Sequence, residues 1–567
     1  MSRRTEPAKG WPARLPTVLE PPAVSLWDSL AVSAARYPDK PAVIFFGRRI
    51  SYAELLASAE RLATYLAALG VKPGERVLVA MQNCPQLVIA HYAIARANAV
   101  AVPINPMNRA DELRHYIADS GARVAIALGA LAQEMALASN DLAPELQLHH
   151  LIWSNFCDVI DPLADDAGIA PQWRDWLQTA VTPTPLAAGD LHAWGDAAAS
   201  RAALPDLTVG RDDLALLPYT SGTTGLPKGC MLTHGNIMHN AMGTAFWITA
   251  TPSMVTLAVL PLFHITGLVC VMHSTILAGG TLVVMPRWDR DAAARLVSRN
   301  AVSHWISIPT MIVDLLASHD IDRYDFSSLA FIGGGGAAMP QAVAERLRER
   351  TGLEFVEGYG LTETSAVTVF NPCDRPKLQC LGIAFISVDV RIVDIDSHVE
   401  LPGGETGEIV IHGPQVFKGY WRRDTDTAEA FIDIDGKRFF RTGDVGYRDA
   451  DGYLFLSDRL KRMINASGYK VWPAEIEALL YRHPAIQEAC VISARDAYRG
   501  ETVKAVVVRR TAADHLSADE LIAWCRAHIS SYKIPRSVAF VEALPKNASG
   551  KIMWRTLQDA EWAGEKG

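Results

Sequence analysis

The stretch "YTSGTTGLPKGCMLTH", Tyr219–His234, decides how the rest of the chain is read. Its first eleven residues hold three glycines, three threonines, one serine and one lysine. The apolar "LALLPY" leading into it reads as a strand, so the loop follows a strand. Glycines let a backbone turn successive N–H groups toward an anion. Thr220, Ser221, Thr223 and Thr224 add hydroxyl donors around Gly222 and Gly225, and Lys228 supplies a compact, mobile positive charge. Together these form a phosphate cradle. It is not the G-x-x-x-x-G-K-[ST] loop, because Leu226 and Pro227 separate Gly225 from Lys228. Read alone, the stretch would also serve as a polar surface turn.

Outward from this loop, amphipathic helices alternate with short apolar strands. "SYAELLASAERLATYLAAL" has a helical period, "RVLVAM" and "VAVPIN" read as strands, and "LVIAHYAIARANA" as the helix between them. The alternation resumes at "TLAVLP", "WISIPTMIVDLLASH", "LAFIGGGG" and "LEFVEGYG". This pattern predicts layered α/β architecture with buried sheets. The Ala-, Pro- and Asp-rich stretch 181–212 reads as a loop or subdomain connection. From Val388 short strands and turns predict a β-rich subdomain, and the last 108 residues a small α+β domain. There "SADELIAWCRAHI" opens with a capping box, Ser517 with Glu520. Residues 1–25, rich in Pro and Arg, are expected to form an irregular arm.

The bulk numbers bound the function. At about 100–200 residues per domain, 567 residues exceed one simple core. Hydrophobic residues at 49% and charged residues at 20% are ordinary for a soluble globular protein. A net charge of −8 argues against a nucleic-acid partner. The eight cysteines are scattered without metal-ligand spacing, which fits reduced thiols and a cytoplasmic location. Two early arginines lack an apolar run behind them, so no signal peptide is expected. No run of about 18 apolar residues predicts a transmembrane helix. "LAVLPLFHITGLVCVMHSTIL" comes closest, and its Pro261, His264 and His273 fit a buried strand and helix better.

Four further clusters follow in order: "GYGLTETS" (Gly358–Ser365), "FRTGDVGY" (Phe440–Tyr447), "SDRLKRMINASGYKVWPAEIE" (Ser457–Glu477) and "PKNASGK" (Pro545–Lys551). With the Gly/Thr loop they make the chain resemble the adenylate-forming (AMP-binding) enzymes, in their acyl-CoA synthetase branch. Peptide-synthetase adenylation domains and beetle luciferases are relatives of that branch. The resemblance runs from about Leu26 to Leu557. It implies a large N-terminal domain, 1–458, that binds AMP and the acyl group, and a mobile C-terminal domain, 459–567, with a hinge near Lys461. It implies a ligase that uses ATP, Mg²⁺ and CoA to convert a carboxylic acid to acyl-AMP and then to a thioester.

The resemblance also assigns roles. Thr220–Gly225 and Lys228 would hold the β- and γ-phosphates. Glu363 would be the Mg²⁺ carboxylate, with Thr362 at the α-phosphate. Tyr359, between Gly358 and Gly360, would stack on adenine against Gly335, Gly336 and Ala337. Asp444 would accept the ribose hydroxyls, with Arg459 beside it. Lys551 would bridge the substrate carboxylate and the α-phosphate. Ser467, Gly468 and Tyr469 would face CoA. His264, Ile265, Gly267, Gly335, Gly360, Ala366 and Val367 would wall the acyl pocket, His264 standing at its boundary with the thiol path.

Peptide-synthetase relatives place an Asp after the Phe of this pocket segment. Here Phe263 is followed by His264, Ile265 and Thr266, and no carboxylate is on offer for an α-ammonium group. The expected substrate is therefore a medium- or long-chain fatty acid. A benzoate- or cinnamate-like aryl acid, or loading of a separate carrier protein, are the alternatives. A luciferase-like oxidation would need a luciferin-shaped pocket, which nothing in the sequence suggests. Partners are expected to be small molecules, with a homodimer left open.

Overall fold

The computed structural model describes residues 10–160, 169, 171–220, 226–466, 469–496, 500–510, 516–546 and 552–564. The chain divides into two compact units. The first comprises Met1–Asp389, Ile411–Phe440 and Asp451–Tyr453; the second comprises Val390–Val410, Arg441–Ala450 and Leu454–Gly567.

Two sheets dominate the first unit. The seven-stranded one runs, in spatial order, Leu232–Thr233, Leu214–Leu216, Val100–Pro103, Arg76–Ala80, Val124–Leu128, His150–Ser154 and Asp190–Ala193. All its pairings are parallel except Leu232–Thr233 on Leu214–Leu216. The nine-stranded sheet has a parallel centre through Phe331–Gly335, His304–Ser307, Val255–Ala258, Thr281–Val284 and Pro41–Phe45, with antiparallel strands at both edges. Central strands such as "VAIAL" are buried along their whole length, as parallel strands covered by helices on both faces must be.

The helices follow from local chemistry. Tyr52–Ala68 begins at Ser51, whose hydroxyl accepts the Glu54 N–H at 3.1 Å while the Glu54 carboxylate accepts the Ser51 N–H at 2.8 Å. Pro85–Arg96 starts with proline at its first position and is buried from Pro85 to Ala95, so it is a core helix rather than an amphipathic one. Stretch 181–212 departs from the loop expected there. It carries the strand Asp190–Ala193 and the short helix Trp194–Ala198. Four residues of edge strand, held by backbone pairing to His150–Ser154, leave almost no mark on composition. "GLVCVMH" also departs from a regular helix: Thr266–His273 is a π-helix continued by Ser274–Leu277. It is apolar all round, so no period betrays the wider turn. π-Helical turns concentrate at functional sites.

The second unit includes a five-stranded sheet of Tyr469–Val471, Ile464–Ala466, Gly500–Arg509, Ile486–Asp496 and Ser537–Phe540. Its core gathers Ile464, Ile476, Leu480, Val491, Val503 and Leu521. The capping box at Ser517 and Glu520 forms as expected, opening helix Ala518–Arg526. The chain is thus α/β, with a large unit of layered sheets and helices and a smaller α+β unit. No helix among the described residues is long and apolar enough to cross a membrane.

The first unit buries several imidazoles. Both ring nitrogens of His91 lack a hydrogen-bond partner among the described residues, and its ring meets that of His273 edge-on at 6.5 Å. The Tyr92 hydroxyl lies 3.1 Å from His273 Nδ1, and His234 Nδ1 accepts the Leu26 N–H at 3.1 Å. Burial pushes His91, His234 and His239 down to about 4. A group whose folded pKa lies below its unfolded value of about 6.5 favours the fold above pH 6.5 and penalises it as pH falls from 6.5 toward 4. Each can withdraw roughly 2–3 kcal/mol over that range. The urea midpoint is therefore expected to be flat from pH 8 to 7 and to fall steeply between pH 6.5 and 4.5. A midpoint unchanged down to pH 4.5 would contradict neutral burial of these rings.

Candidate active site

The Gly/Thr stretch folds back on itself. Tyr219–Thr220 and Lys228–Gly229 pair antiparallel, Thr220 opposite Lys228 and Tyr219 opposite Gly229. Ser221, Gly222, Thr223, Thr224 and Gly225 lie outside the described residues. The hairpin base is held from several sides. Tyr219 Oη donates to Asp119 at 2.7 Å, and His115 Nε2 lies 2.8 Å from the Pro227 carbonyl. Asp119 also pairs with Arg423 at 3.0 Å.

The segment Phe417–Trp421 is laced to the hairpin's outgoing strand. Met231 N–H donates to Gly419 at 3.0 Å, Lys418 N–H to Met231 at 3.0 Å and Trp421 N–H to Gly229 at 2.8 Å. This lacing brings Tyr420 beneath Lys228, whose ammonium sits 5.3 Å from the centre of the phenol ring and pairs with Asp426. On its other side Tyr420 Oη donates to Glu363 Oε1 at 2.9 Å. Burial, then the Glu363 charge, pushes the Tyr420 phenol far up. The same two causes raise the buried Cys230 thiol well above its usual range. Cys230 is therefore a protonated packing group and not a nucleophile.

Glu363 lies in the turn Thr362–Thr364 that follows strand Val356–Leu361. Several bonds fix this turn. Asn240 Nδ2 donates to Val367 at 2.6 Å and to Thr364 at 3.2 Å, Ser365 Oγ donates to Gln415 at 2.9 Å, and Phe417 N–H donates to Glu363 at 2.9 Å. Ser365 at φ 54° and Ala366 at φ 95° lie in the left-handed region that non-glycine residues avoid, and such strain gathers at functional sites.

Three adjacent strands line up the residues expected at the base and the acyl chain. Gly335 stands opposite Gly358, Gly360 opposite Val367, and Leu361 opposite Ala366. A Cβ at Gly335 would lie 2.2 Å from the Gly358 carbonyl, and one at Gly360 1.6 Å from the Ala366 carbonyl. These glycines are required by backbone packing whether or not a ligand is present, and the wall they leave is flat. Tyr359 is buried on the central strand; Gly336 and Ala337 are exposed where the first strand ends. Glu357 precedes this group with a buried carboxylate that accepts the Met339 N–H at 2.7 Å and the Gln379 N–H at 2.6 Å. Burial raises its pKa, and its hydrogen bonds tie the chain beyond the glycine run to the Tyr359 strand.

Ile265 precedes and Gly267 lies in the first turn of the π-helix, which packs on strand Ala366–Phe370. His264 just ahead of it is solvent-accessible, yet crowding by protein lowers its pKa.

In the second unit Asp444 and Arg459 stand opposite each other on paired strands, with Arg459 Nε 2.9 Å from the buried Asp444 carboxylate. Glu408, also buried, takes Arg441 at 2.8 Å and the Gly443 N–H at 3.2 Å, fixing the stretch of strand Lys437–Arg448 that presents Asp444. Lys461 lies in the single turn Leu460–Arg462. Tyr469 pairs through its backbone with Ala466; Ser467, Gly468 and Lys551 lie outside the described residues. On either side of the last of these, Lys546 bridges Ile552 and the Met553 N–H donates to Pro545 at 2.8 Å.

Sequence reasoning missed Tyr420, Asp426, Glu357, Glu408 and Asn240. Only "GYW" at Gly419–Trp421 offered a signal, an aromatic pair behind a glycine at φ 146°.

The first unit thus links a cation and a carboxylate through one tyrosine, with the carboxylate just beyond the strand that carries Gly358 and Gly360. Residues 30–421 match the AMP-binding enzyme family and residues 475–551 the AMP-binding enzyme C-terminal domain. The chain belongs to the AMP-binding enzyme family. It is 34% identical to a long-chain-fatty-acid–CoA ligase of Bacillus subtilis, covering 97% of each chain. It is 37% identical to a feruloyl-CoA synthase of an Amycolatopsis species, covering 91% of this chain and 95% of the other. Among solved structures, ATP-bound MatB from Rhodopseudomonas palustris superposes with a TM-score of 0.81 at 29% identity, over 95% of this chain and 99% of that one. The protein is an acid–thiol ligase with ATP and CoA as co-substrates.

Proposed function

We propose that this ligase activates a medium- or long-chain fatty acid and passes the acyl group to CoA. The acid's carboxylate attacks the α-phosphorus of ATP, pyrophosphate leaves, and the CoA thiol then displaces AMP from the acyl-adenylate. In this reading Thr220, Ser221–Gly225 and Lys228 receive the β- and γ-phosphates. Asp426 and the Tyr420 ring hold the Lys228 ammonium before nucleotide arrives, so its positive end is already oriented. Thr362 meets the α-phosphate, Tyr359 the adenine, Asp444 and Arg459 the ribose, and Lys551 the two groups that react.

Glu363 fits a magnesium ligand: it is a hard oxygen donor on a fixed turn, oriented through Tyr420, and Mg²⁺ binds through one or two carboxylates plus phosphate oxygens. Bound there, Mg²⁺ would neutralise phosphate charge. Ser467, Gly468 and Tyr469 serve the thiol, His264 lines the border between acyl and thiol paths, and Lys461 is the hinge between domains 1–458 and 459–567.

The observation that carries the choice of acid is the π-helix. Gly267–His273 is wholly buried, mostly apolar, and packed on the strand that starts at Ala366, with no acidic residue from Phe263 to Thr266. Such walls hold an acyl chain through burial, at about 25 cal/mol per Å². The similarity to feruloyl-CoA synthase favours a second reading, a hydroxycinnamate-like acid.

One panel separates the two: C6–C18 fatty acids, benzoates and cinnamates with ATP, Mg²⁺ and CoA, read as AMP and thioester. A fatty acid of eight carbons or more is expected to give the highest kcat/KM. A preference for an aryl acid would install the second reading, and AMP formation with amino acids alone would overturn both.

A further inference from the structure

We propose that His150, Asp190 and His192 form a site for a divalent transition metal such as zinc, at the edge of the seven-stranded sheet and in a different sheet from the Gly335–Val367 wall. Strands His150–Ser154 and Asp190–Ala193 pair parallel, His150 opposite Asp190 and Ile152 opposite His192. Side chains alternate along a strand, so these registers put all three residues on one face. His150 Nδ1 lies 3.1 Å from His192 Nε2, and one ligand atom from each of the three residues falls within 4.8 Å of the others. Two nitrogens bound tetrahedrally to zinc at about 2.0–2.1 Å stand roughly 3.3–3.4 Å apart. Loading the site needs only a small parting of two rings already side by side.

The surroundings match those of a metal-bound imidazole. The other nitrogen of His192, Nδ1, lies 2.8 Å from the Tyr65 hydroxyl on helix Tyr52–Ala68. A partner on the distal nitrogen fixes the ring and its tautomer in metal sites. Asp190 is exposed, which gives an ion access from solvent. Two imidazoles and one carboxylate, with water completing the shell, suit Zn²⁺ and its neighbours better than Mg²⁺ or Ca²⁺.

Without metal the same atoms stand at hydrogen-bonding distance, Tyr65 Oη 2.8 Å from His192 Nδ1 and His192 Nε2 3.1 Å from His150 Nδ1. Metal at Nε2 requires the His192 tautomer in which Nδ1–H donates to the Tyr65 oxygen and Nε2 presents its lone pair. No net proton is lost at that ring. The consequence is structural: the metal ties an edge strand, the weakest member of a sheet, to its neighbour and through Tyr65 to a helix.

The test is calorimetric titration of the full-length, tag-free protein with Zn²⁺, and with Co²⁺ for its visible d–d absorption. One equivalent is expected to bind with a Kd of about 1–10 μM, a Co²⁺ band characteristic of four- or five-fold N/O ligation to develop, and the thermal midpoint to rise. His192→Ala and Asp190→Asn should weaken binding at least about 10-fold, and Tyr65→Phe by less. His149→Ala, at the exposed neighbouring position, should leave it unchanged. Absence of saturable binding, or equal binding by the His150→Ala and His192→Ala variants and the parent, overturns the proposal. Circular dichroism of each variant separates loss of ligand from loss of fold.

Discussion

Replacing Lys551 by alanine is expected to cut acyl-adenylate formation by roughly 10²–10³-fold while leaving thioester formation from pre-made acyl-adenylate within about 3-fold of the parent. The first half-reaction joins two anions, a carboxylate and the α-phosphate, and their repulsion is part of the barrier. A lysine between them offsets that repulsion most where the two oxygens approach, which is the transition state. In the second half-reaction the thiol sulfur bonds the acyl carbon, its proton passes to solvent and AMP leaves as the anion, so no carboxylate has to be drawn against the phosphate. Pyrophosphate exchange measures the first step and CoA thioester the second, on one preparation. Equal loss in both steps would remove Lys551 from its role as a carboxylate–phosphate bridge. Lys551→Arg should fall between parent and alanine, because a guanidinium keeps the charge but presents it as a rigid fork rather than a mobile point. The pairing of Lys546 with Ile552 is backbone-mediated and indifferent to either side chain.

The fold was legible wherever local chemistry and long-range packing demand the same thing. Ser51 with Glu54 and Ser517 with Glu520 cap helices by contacts three residues apart, so a short window of sequence contains the whole cause. Runs such as "VAIAL" can only be buried strands once helices flank them. The π-helix Thr266–His273 was not legible, because a segment apolar on every face shows no period. The edge strand Asp190–Ala193 was missed for a related reason: its backbone pairing, not its side chains, makes it a strand.

The candidate site divides in the same way. Gly335, Gly358, Gly360, Ala366 and Val367 were named from motifs, and register places them side by side. Tyr420 and Asp426 were invisible because their meaning depends on Lys228, almost two hundred residues earlier in the chain. Glu357 and Glu408 were missed because a buried carboxylate that accepts backbone N–H groups looks, in sequence, like any surface Glu. Such groups act by holding backbone in place, and a one-dimensional motif records only the residues that this backbone presents.

Glu363→Gln is expected to lower the rate of pyrophosphate exchange by roughly 10²–10³-fold and to raise the Mg²⁺ concentration needed for half-maximal rate. The substitution is chosen because it separates charge from shape. Glutamine keeps the size of the side chain and an oxygen that can accept the Tyr420 hydroxyl, now at 2.9 Å. The turn is held chiefly by Asn240, Ser365 and the Phe417 N–H, none of which touches the Glu363 carboxylate, so the thermal midpoint should move little. What is removed is one negative charge and one hard anionic ligand. Tyr420→Phe supplies the graded comparison. It leaves the ring beneath Lys228 but deletes the hydrogen bond that orients the carboxylate, and loss of such an orienting partner typically costs 10–100-fold in metal affinity or activity. Its defect should therefore be milder and should shrink as Mg²⁺ is raised, whereas that of Glu363→Gln should persist at saturating Mg²⁺. If Glu363→Gln exchanges pyrophosphate within 3-fold of the parent with an unchanged Mg²⁺ requirement, Glu363 is not the magnesium carboxylate. The Tyr420 hydrogen bond would then serve only to brace the Thr362–Thr364 turn.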